Sequence, residues 1–274
     1  MNTVAGLAVR EAEGAARRAG VVVRELDRIS EFEGVFQVFD RIWRADPSSA
    51  PISVELMRAL SHSGNYVAGA FSRGEMVGAA VGFLAGPPAG GLHSHVTGAV
   101  AGRGVGFALK LHQRAWALER GLGQVSWTFD PLVRRNAHFN LTKLGGRPAE
   151  YLPSFYGPMT DVINAGDESD RLLLVWRLTE PHVLDACAGR PRETVPPEGA
   201  VVAVRAEDER PVVSAPGRVS LVATPSDIEG LRPADPVAGR AWRMAVREVL
   251  GGLMGRRGQV TGLTKAGEYV VELP

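Results

Sequence analysis

Between a β-like run, Leu92 to Val100, and a helix-like run from Phe107 to Arg120, glycine occupies positions 102, 104 and 106. Arg103 stands among them. This junction constrains the chain more than any other stretch. Glycine permits positive φ and lets a partner approach the backbone closely. The first N–H groups of the following helix have no internal acceptor, and the helix dipole places partial positive charge there. A strand, a glycine turn and a helix therefore make an anion site, to which Arg103 adds a full charge. The same spacing also serves a plain chain reversal, and a lone glycine motif does not decide between the two. Two phosphate motifs are excluded. A P-loop would end in Gly-Lys-Ser/Thr, whereas Phe107 and Ala108 follow Gly106. A dinucleotide fingerprint would want glycine at Leu109 and an early βαβ unit.

What precedes the junction matters as much. The N-terminal stretch reads as a short amphipathic helix or a frayed tail, and Gly20 to Leu26 as a first strand. Ser30 and Glu33 form a capping-box pair ahead of a helix that puts Phe32, Val35, Phe36, Phe39, Ile42 and Trp43 on one face; Asp46-Pro47 would close it. A second helix is expected from Ser53 to about His62. Asn65 to Phe71 and Glu75 to Gly86 flank Ser72-Arg73-Gly74 as a hairpin. After the junction, Gly121 suits the C′ position of the helix. A strand at Gln124 to Asp130, a short helix at Arg135 to Gly146 and a strand at Asp170 to Leu178 follow. Pro, Gly and charge then dominate from about Cys187 to Arg218, interrupted by a strand-like Ala200 to Ala206. Beyond it, "VSLVATP", a second capping pair at Ser226 and Glu229, an amphipathic Trp242 to Leu250 and a closing hairpin make a compact unit. The expected division is 1–185, a linker 186–218, and 219–274.

With 274 residues, 45% hydrophobic and 22% charged, an ordinary packed core is within reach. A formal net charge of +1 without a clustered basic excess argues against a nucleic-acid partner. The single cysteine, Cys187, allows no intramolecular disulfide and no CxxC metal site. The N-terminus lacks a secretory apolar core, and the run Met76 to Ala85 is too short to span a bilayer. These features lead to the expectation of a soluble cytoplasmic protein with no membrane partner; a homo-oligomer is left open.

The order strand, two helices, three antiparallel strands, glycine turn, long helix, strand, helix, strand resembles the GNAT superfamily of acyl-CoA N-acyltransferases over roughly Val21 to Leu178. That family's diphosphate motif, Arg/Gln-x-x-Gly-x-Gly/Ala, maps onto Ala101-Gly102-Arg103-Gly104-Val105-Gly106, with Ala101 in place of the leading side chain. In the segment after the fifth strand, Ala137, Lys143 and Gly145 match, whereas Leu141 stands where the family carries a tyrosine acid. The run "TFDPLVRRNAHFNLTKLG" with "FYGPM" also looks like a GNAT subgroup that carries its own C-terminal extension. The resemblance implies an α/β fold of α+β type. It would be a GNAT-like mixed, mostly antiparallel central sheet flanked by helices, plus a small C-terminal α/β unit. It also implies acetyl-CoA or another acyl-CoA as co-substrate, held by Val100, Ala101, Gly102, Arg103, Gly104, Val105, Gly106, Phe107 and Asn136. The acceptor would be the amine of a small molecule or an amino acid.

Acyl transfer from a thioester to an amine needs a deprotonated amine, and an amine of pKa about 10.4 benefits from a base near neutral pH. His93 and His95, two apart on one strand, share a face and are the candidate bases. They read equally as hydrogen-bonded structural histidines, or, with a third ligand, as a metal pair. No spacing supplies that ligand, and no metal is expected. Asp130 could hold the acceptor ammonium or orient a histidine; it also suits an Asp-Pro turn. Tyr151 and Tyr156 are candidate replacement acids, and Arg134, Arg135 and Arg147 read as solvated surface charges. Cys187 falls in the expected linker, so direct attack in a ternary complex is expected. A non-catalytic acyl-CoA-binding or regulatory protein is the alternative, with Leu141 its best argument.

Overall fold

A computed structural model describes residues 3–43, 51–87, 90–100, 104–157 and 167–274. The chain forms two compact units. One holds the residues up to Trp127 together with Arg177–Thr179; the other holds Thr128–Trp176 and Glu180–Pro274.

The first unit opens with helix α1 (Val4–Ala19), strand β1 (Val22–Glu25) and helices α2 (Ile29–Trp43) and α3 (Val54–His62). Strands β2 (Tyr66–Ser72), β3 (Glu75–Leu84) and β4 (Leu92–Ala99), helix α4 (Val105–Glu119) and strand β5 (Gln124–Phe129) follow, β5 running past the division between the units. β1, β2, β3 and β4 pair antiparallel in that order, and β4 pairs parallel with β5. The sheet is therefore mixed and mostly antiparallel, as the family resemblance implies. Phe32, Val35, Val38 and Phe39 of α2, at helical spacing, close a core with Leu26, Met57, Val67, Ala79 and Val81.

Helix ends show where local chemistry was and was not legible. Ser53 caps α3 by accepting from the Leu56 N–H at 3.3 Å. The α4 C-terminus closes as a Schellman turn, the Gly121 N–H donating to Leu118 O at 3.1 Å and the Leu122 N–H to Ala117 O at 2.9 Å. The expected Ser30–Glu33 box does not form. α2 starts at Ile29, two residues before the Glu31 start that a Ser30 cap implies, and Glu31 instead accepts from the N–H groups of Asp27 and Arg28, at 3.2 Å each. Asp46-Pro47 lies outside the described residues. The N-terminal stretch is no frayed tail: buried Arg114 of α4 donates to Glu11 of α1 at 2.7 Å and, through Nη2, to Leu178 O at 2.9 Å.

The second unit begins within β5 and continues into α5 (Arg134–Ala137), which runs on as a π-helical turn over His138–Lys143. β6 (Arg147–Leu152) and β7 (Arg171–Arg177) pair antiparallel, and α6 (Pro181–Cys187) follows. A second sheet is built from β8 (Val201–Glu207), β9 (Arg210–Val213), β10 (Val219–Ala223), β11 (Gln259–Leu263) and β12 (Glu268–Glu272), in the order β11-β12-β10-β8-β9. Helices α7 (Ile228–Ala234), α8 (Pro236–Val246) and α9 (Gly252–Gly255) lie between β10 and β11. The Pro- and Gly-rich stretch after Cys187 thus supplies a hairpin, β8 and β9, to this sheet. The predicted capping pair is displaced by one residue, because Asp227 rather than Ser226 accepts from the Gly230 N–H, at 3.0 Å. Trp242, Val246, Val249 and Leu250, the apolar stripe of the sequence, are all buried.

Candidate functional site

β4 leads from the candidate bases to the glycine junction. Its parallel pairing with β5 runs through Leu92↔Val125 and His93↔Ser126 and stops there. On the other edge, a bulge separates Gly82↔Ser94 from Val81↔Val96, leaving His95 as the extra residue. The bulge explains why Val96 packs into the α2 core while Ser94, two residues earlier, bonds to α4. Gly82 is required beside it, because a Cβ there would lie 2.9 Å from His93 O.

At the end of β4, Val100 is exposed and its N–H bonds to Val77 O at 2.9 Å. Ala101, Gly102 and Arg103 lie outside the described residues. Gly104 is the N-cap of α4, at φ 97° and ψ −2°, a left-handed conformation that glycine adopts without strain. The first helical bond is donated by Ala108 to Gly104 O. The N–H groups of Val105, Gly106 and Phe107 therefore lack an α-helical acceptor. Among the described residues no side chain caps them, and a Cβ at Gly106 would meet nothing within 4 Å. The fifteen-residue helix thus has no side-chain cap at its N-terminus among the described residues.

His93 and His95 do share a face: the Phe83 ring lies 5.1 Å from one imidazole and 6.0 Å from the other, centroid to centroid. His93 Nδ1 is 3.2 Å from Ser126 Oγ, which leaves Nε2 to accept a proton when Nδ1 carries the hydrogen. Burial, with help from His95 and Lys110, lowers the His93 pKa and favours the neutral ring. His95 Nε2 is 3.0 Å from Pro51 O; a carbonyl only accepts, so this nitrogen is the donor.

Asp130 is differently employed. Its oxygens receive Arg243 at 2.9 Å through each terminal nitrogen, Arg232 at 2.5 Å and the Leu132 N–H at 2.9 Å. Burial alone would raise its pKa, but the Arg243 and Arg232 guanidiniums overcome that and hold the carboxyl well below the usual range. A carboxylate held so firmly ionised is a poor base. It is the centre of a buried network in the second unit: Arg232 and Arg243 also donate to Asp167, and Arg247 and Tyr151 to Asp170. Tyr151 is thereby engaged, its phenol pushed up by burial and by Asp170. The half-exposed Tyr156 meets Thr128 Oγ1 at 3.0 Å. Asn136 is exposed on α5, whose N-cap is Val133. Arg134 and Arg147 are not free surface charges: they donate to the carbonyls of Thr224 and Thr261.

The sequence reading passed over one cluster beside His93. Lys110 and Gln113 of α4 and Ser94 of β4 are all buried, with Lys110 Nζ 2.9 Å from Ser94 Oγ and 3.2 Å from Gln113 Oε1. The signal was a lysine and an amide three apart on a helix whose other buried residues, Arg114 apart, are apolar. Among the described residues, no three His, Cys, Asp or Glu side chains gather as metal ligands, and no helix is long and apolar enough to cross a membrane. A groove of about 390 Å³ lined by α1, β1 and α4 carries Glu13, Glu25 and Glu119 against Arg17, an unsuitable lining for a diphosphate.

No family model matches the chain, and no curated protein does. Solved structures do. A GNAT-family protein from Desulfovibrio desulfuricans, described as an acetyltransferase, is 15% identical, with 58% of this chain and 99% of that chain covered and a TM-score of 0.48. The ribosomal-protein-S18-alanine N-acetyltransferase of Escherichia coli is 15% identical over 58% of this chain and 95% of its own, at a TM-score of 0.47. The aminoglycoside 6'-N-acetyltransferase of Enterococcus faecium is 14% identical over 58% and 98%, at 0.44. Over that part of its length, the chain is similar to acetyltransferases of the GNAT family.

Proposed function

We propose that this protein moves an acetyl or other small acyl group from acyl-CoA to the amine of a small molecule or amino acid. The observation that carries the reading is the course of β4. Its pairing with β5 ends after His93, and the same strand leads into the glycine-capped, unsatisfied N-terminus of α4. A diphosphate would be held by the N–H groups of Val105, Gly106 and Phe107, with Gly102 and Arg103 contributing as the resemblance implies. A thioester lying along β4 would then reach the strand parting beside His93. There the neutral imidazole takes the proton of the attacking amine, the C–N bond forms, and the C–S bond breaks to release CoA. His95 is the second candidate for the proton.

Isothermal titration with CoA and acetyl-CoA, followed by turnover against a panel of amines, tests the reading. Saturable binding with acyl transfer to at least one amine is expected. No binding by the folded protein would overturn it. The alternative, a non-catalytic acyl-CoA-binding protein, is favoured by Leu141, which is buried where the resemblance expects a tyrosine acid. Binding without turnover of any amine would select it.

A further inference from the structure

Lys110 occupies an unusual place for a lysine. It is 4% exposed, on the helix that follows the glycine junction. Its Nζ is 2.9 Å from Ser94 Oγ, 3.2 Å from Gln113 Oε1 and 3.8 Å from the centre of the Trp127 ring. Ser94 and Trp127 are the residues immediately beyond the last β4–β5 pair, His93↔Ser126. The amine therefore sits against both strands at the point where they part. Among the described residues no carboxylate bonds to it, and burial lowers its pKa from 10.5 to about 7, so a neutral amine is accessible near physiological pH. Gln113 fixes its position from one side, and Gln113 Nε2 is itself buried with no hydrogen-bond partner among the described residues. A hydroxyl, an amine of lowered pKa within hydrogen-bond reach, and a third group orienting the amine form the arrangement that activates a serine nucleophile. A merely structural lysine would be expected to meet a carboxylate or to reach solvent.

We propose that Ser94 is an acyl-accepting nucleophile, with Lys110 as its base and Gln113 as the group that orients Lys110. Ser94 Oγ attacks the carbonyl carbon of a thioester while its proton passes to Lys110 Nζ. The new C–O bond forms, the C–S bond breaks, and the departing thiolate takes the proton back from Lys110. The acyl group is left as an ester on Ser94. An amine or a water molecule then attacks that ester. Its proton moves to Lys110 and on to Ser94 Oγ as the C–O bond breaks. This is a second route from the same thioester, alongside direct attack, and with water it makes the protein an acyl-CoA hydrolase. Ser94 is 3% exposed, so its acylation requires the acyl group to enter through the parting between β4 and β5. The choice of acyl-CoA as donor rests on the function proposed above; the serine–lysine pair does not.

The test is to trap the acyl-enzyme. The full chain is incubated with acetyl-CoA without amine, quenched in acid and examined by intact and peptide mass spectrometry. A parallel incubation uses p-nitrophenyl acetate, which needs no CoA site. A mass increase of one acetyl group, mapped to Ser94 in both, is expected. Ser94→Ala should abolish it, and Lys110→Met should slow acylation by about 10²-fold or more, the loss typical of a removed base. No adduct from either donor in folded wild-type protein overturns the proposal, as does an adduct on Lys110 itself. An adduct from p-nitrophenyl acetate but not from acetyl-CoA supports the pair and instead tells against acyl-CoA as donor. Acetyl-CoA turnover in the presence of amine, with no adduct at any time point, overturns the pair and leaves the acyltransferase standing.

Discussion

A single charged residue can be read for function or for stability only when its partners are known. Asp130, at a strand end before proline, reads from the sequence as a site residue only because its partners lie at positions 232 and 243, beyond the reach of any local pattern. Its role is now a stability statement. The folded pKa lies below the ordinary 3.8, so Asp130 contributes stability that is fully present above about pH 4 and is lost as pH falls below it. Asp130→Asn should leave buried guanidiniums short of charge and lower stability at pH 7 by about 3 kcal/mol. Urea denaturation at pH 7 and at pH 3.5 checks both the size and the expected narrowing of the gap. That His93 and His95 share a face was legible because period two on a strand is local. His93→Gln should lower turnover by ~10²–10⁴ while CoA affinity persists, since backbone amides hold the diphosphate. The acidic limb of kcat/KM should lie below the ordinary histidine value of 6.5, because burial favours the neutral ring. Wild-type rates in the variant between pH 6 and 9, measured with the best acceptor, would remove His93 from the mechanism.

At the scale of the element, the junction of β4 and α4 carries the functional reading. The glycines of that junction were legible in the sequence, and the N-cap at φ 97° is a conformation that glycine adopts without strain. Gly104→Val should therefore act twice. A β-branched residue in the left-handed region costs on the order of 1–2 kcal/mol, and its side chain would intrude where a diphosphate approaches the helix. Calorimetry should show at least tenfold weaker CoA binding in a variant whose circular dichroism stays native; unchanged affinity would mean that the turn only reverses the chain. Element starts were less legible than element identities. Glu31 caps α2 from within its own first turn, and Asp227 outcompetes Ser226 at α7, because several polar residues in a row offer the backbone alternative acceptors. The bulge at His95 was invisible in the sequence. It depends on the register of β3, which the residues of β4 do not encode.

At the scale of the whole molecule, the C-terminal third is no separable appendage of the residues it follows. Within the second unit, Asp130, Asp167 and Asp170 are neutralised by Arg232, Arg243 and Arg247, and Tyr269 donates to Pro131 O at 2.8 Å. Truncation after residue 185 would leave these buried carboxylates without their cations. The shortened protein should aggregate or lose its cooperative melt; a monomer with an unchanged melting temperature in scanning calorimetry would show that the first 185 residues are self-sufficient. Composition had suggested a linker after Cys187, because proline and glycine mark hairpin turns and linkers alike; what separates them here is the β8–β9 pairing, a matter of packing. The first unit is likewise not a continuous stretch. It takes back Arg177–Thr179, where Leu178 receives Arg114 and donates its own N–H to Gly123 O at 3.0 Å. On the ribosome, α1 and α4 emerge well before that carbonyl does. Arg114 must then wait, half-partnered, while some sixty further residues are synthesised. A ribosome paused within that interval would hold a nascent chain whose first unit is still open, and a nascent-chain folding assay should register its closure only once Leu178 has cleared the exit tunnel.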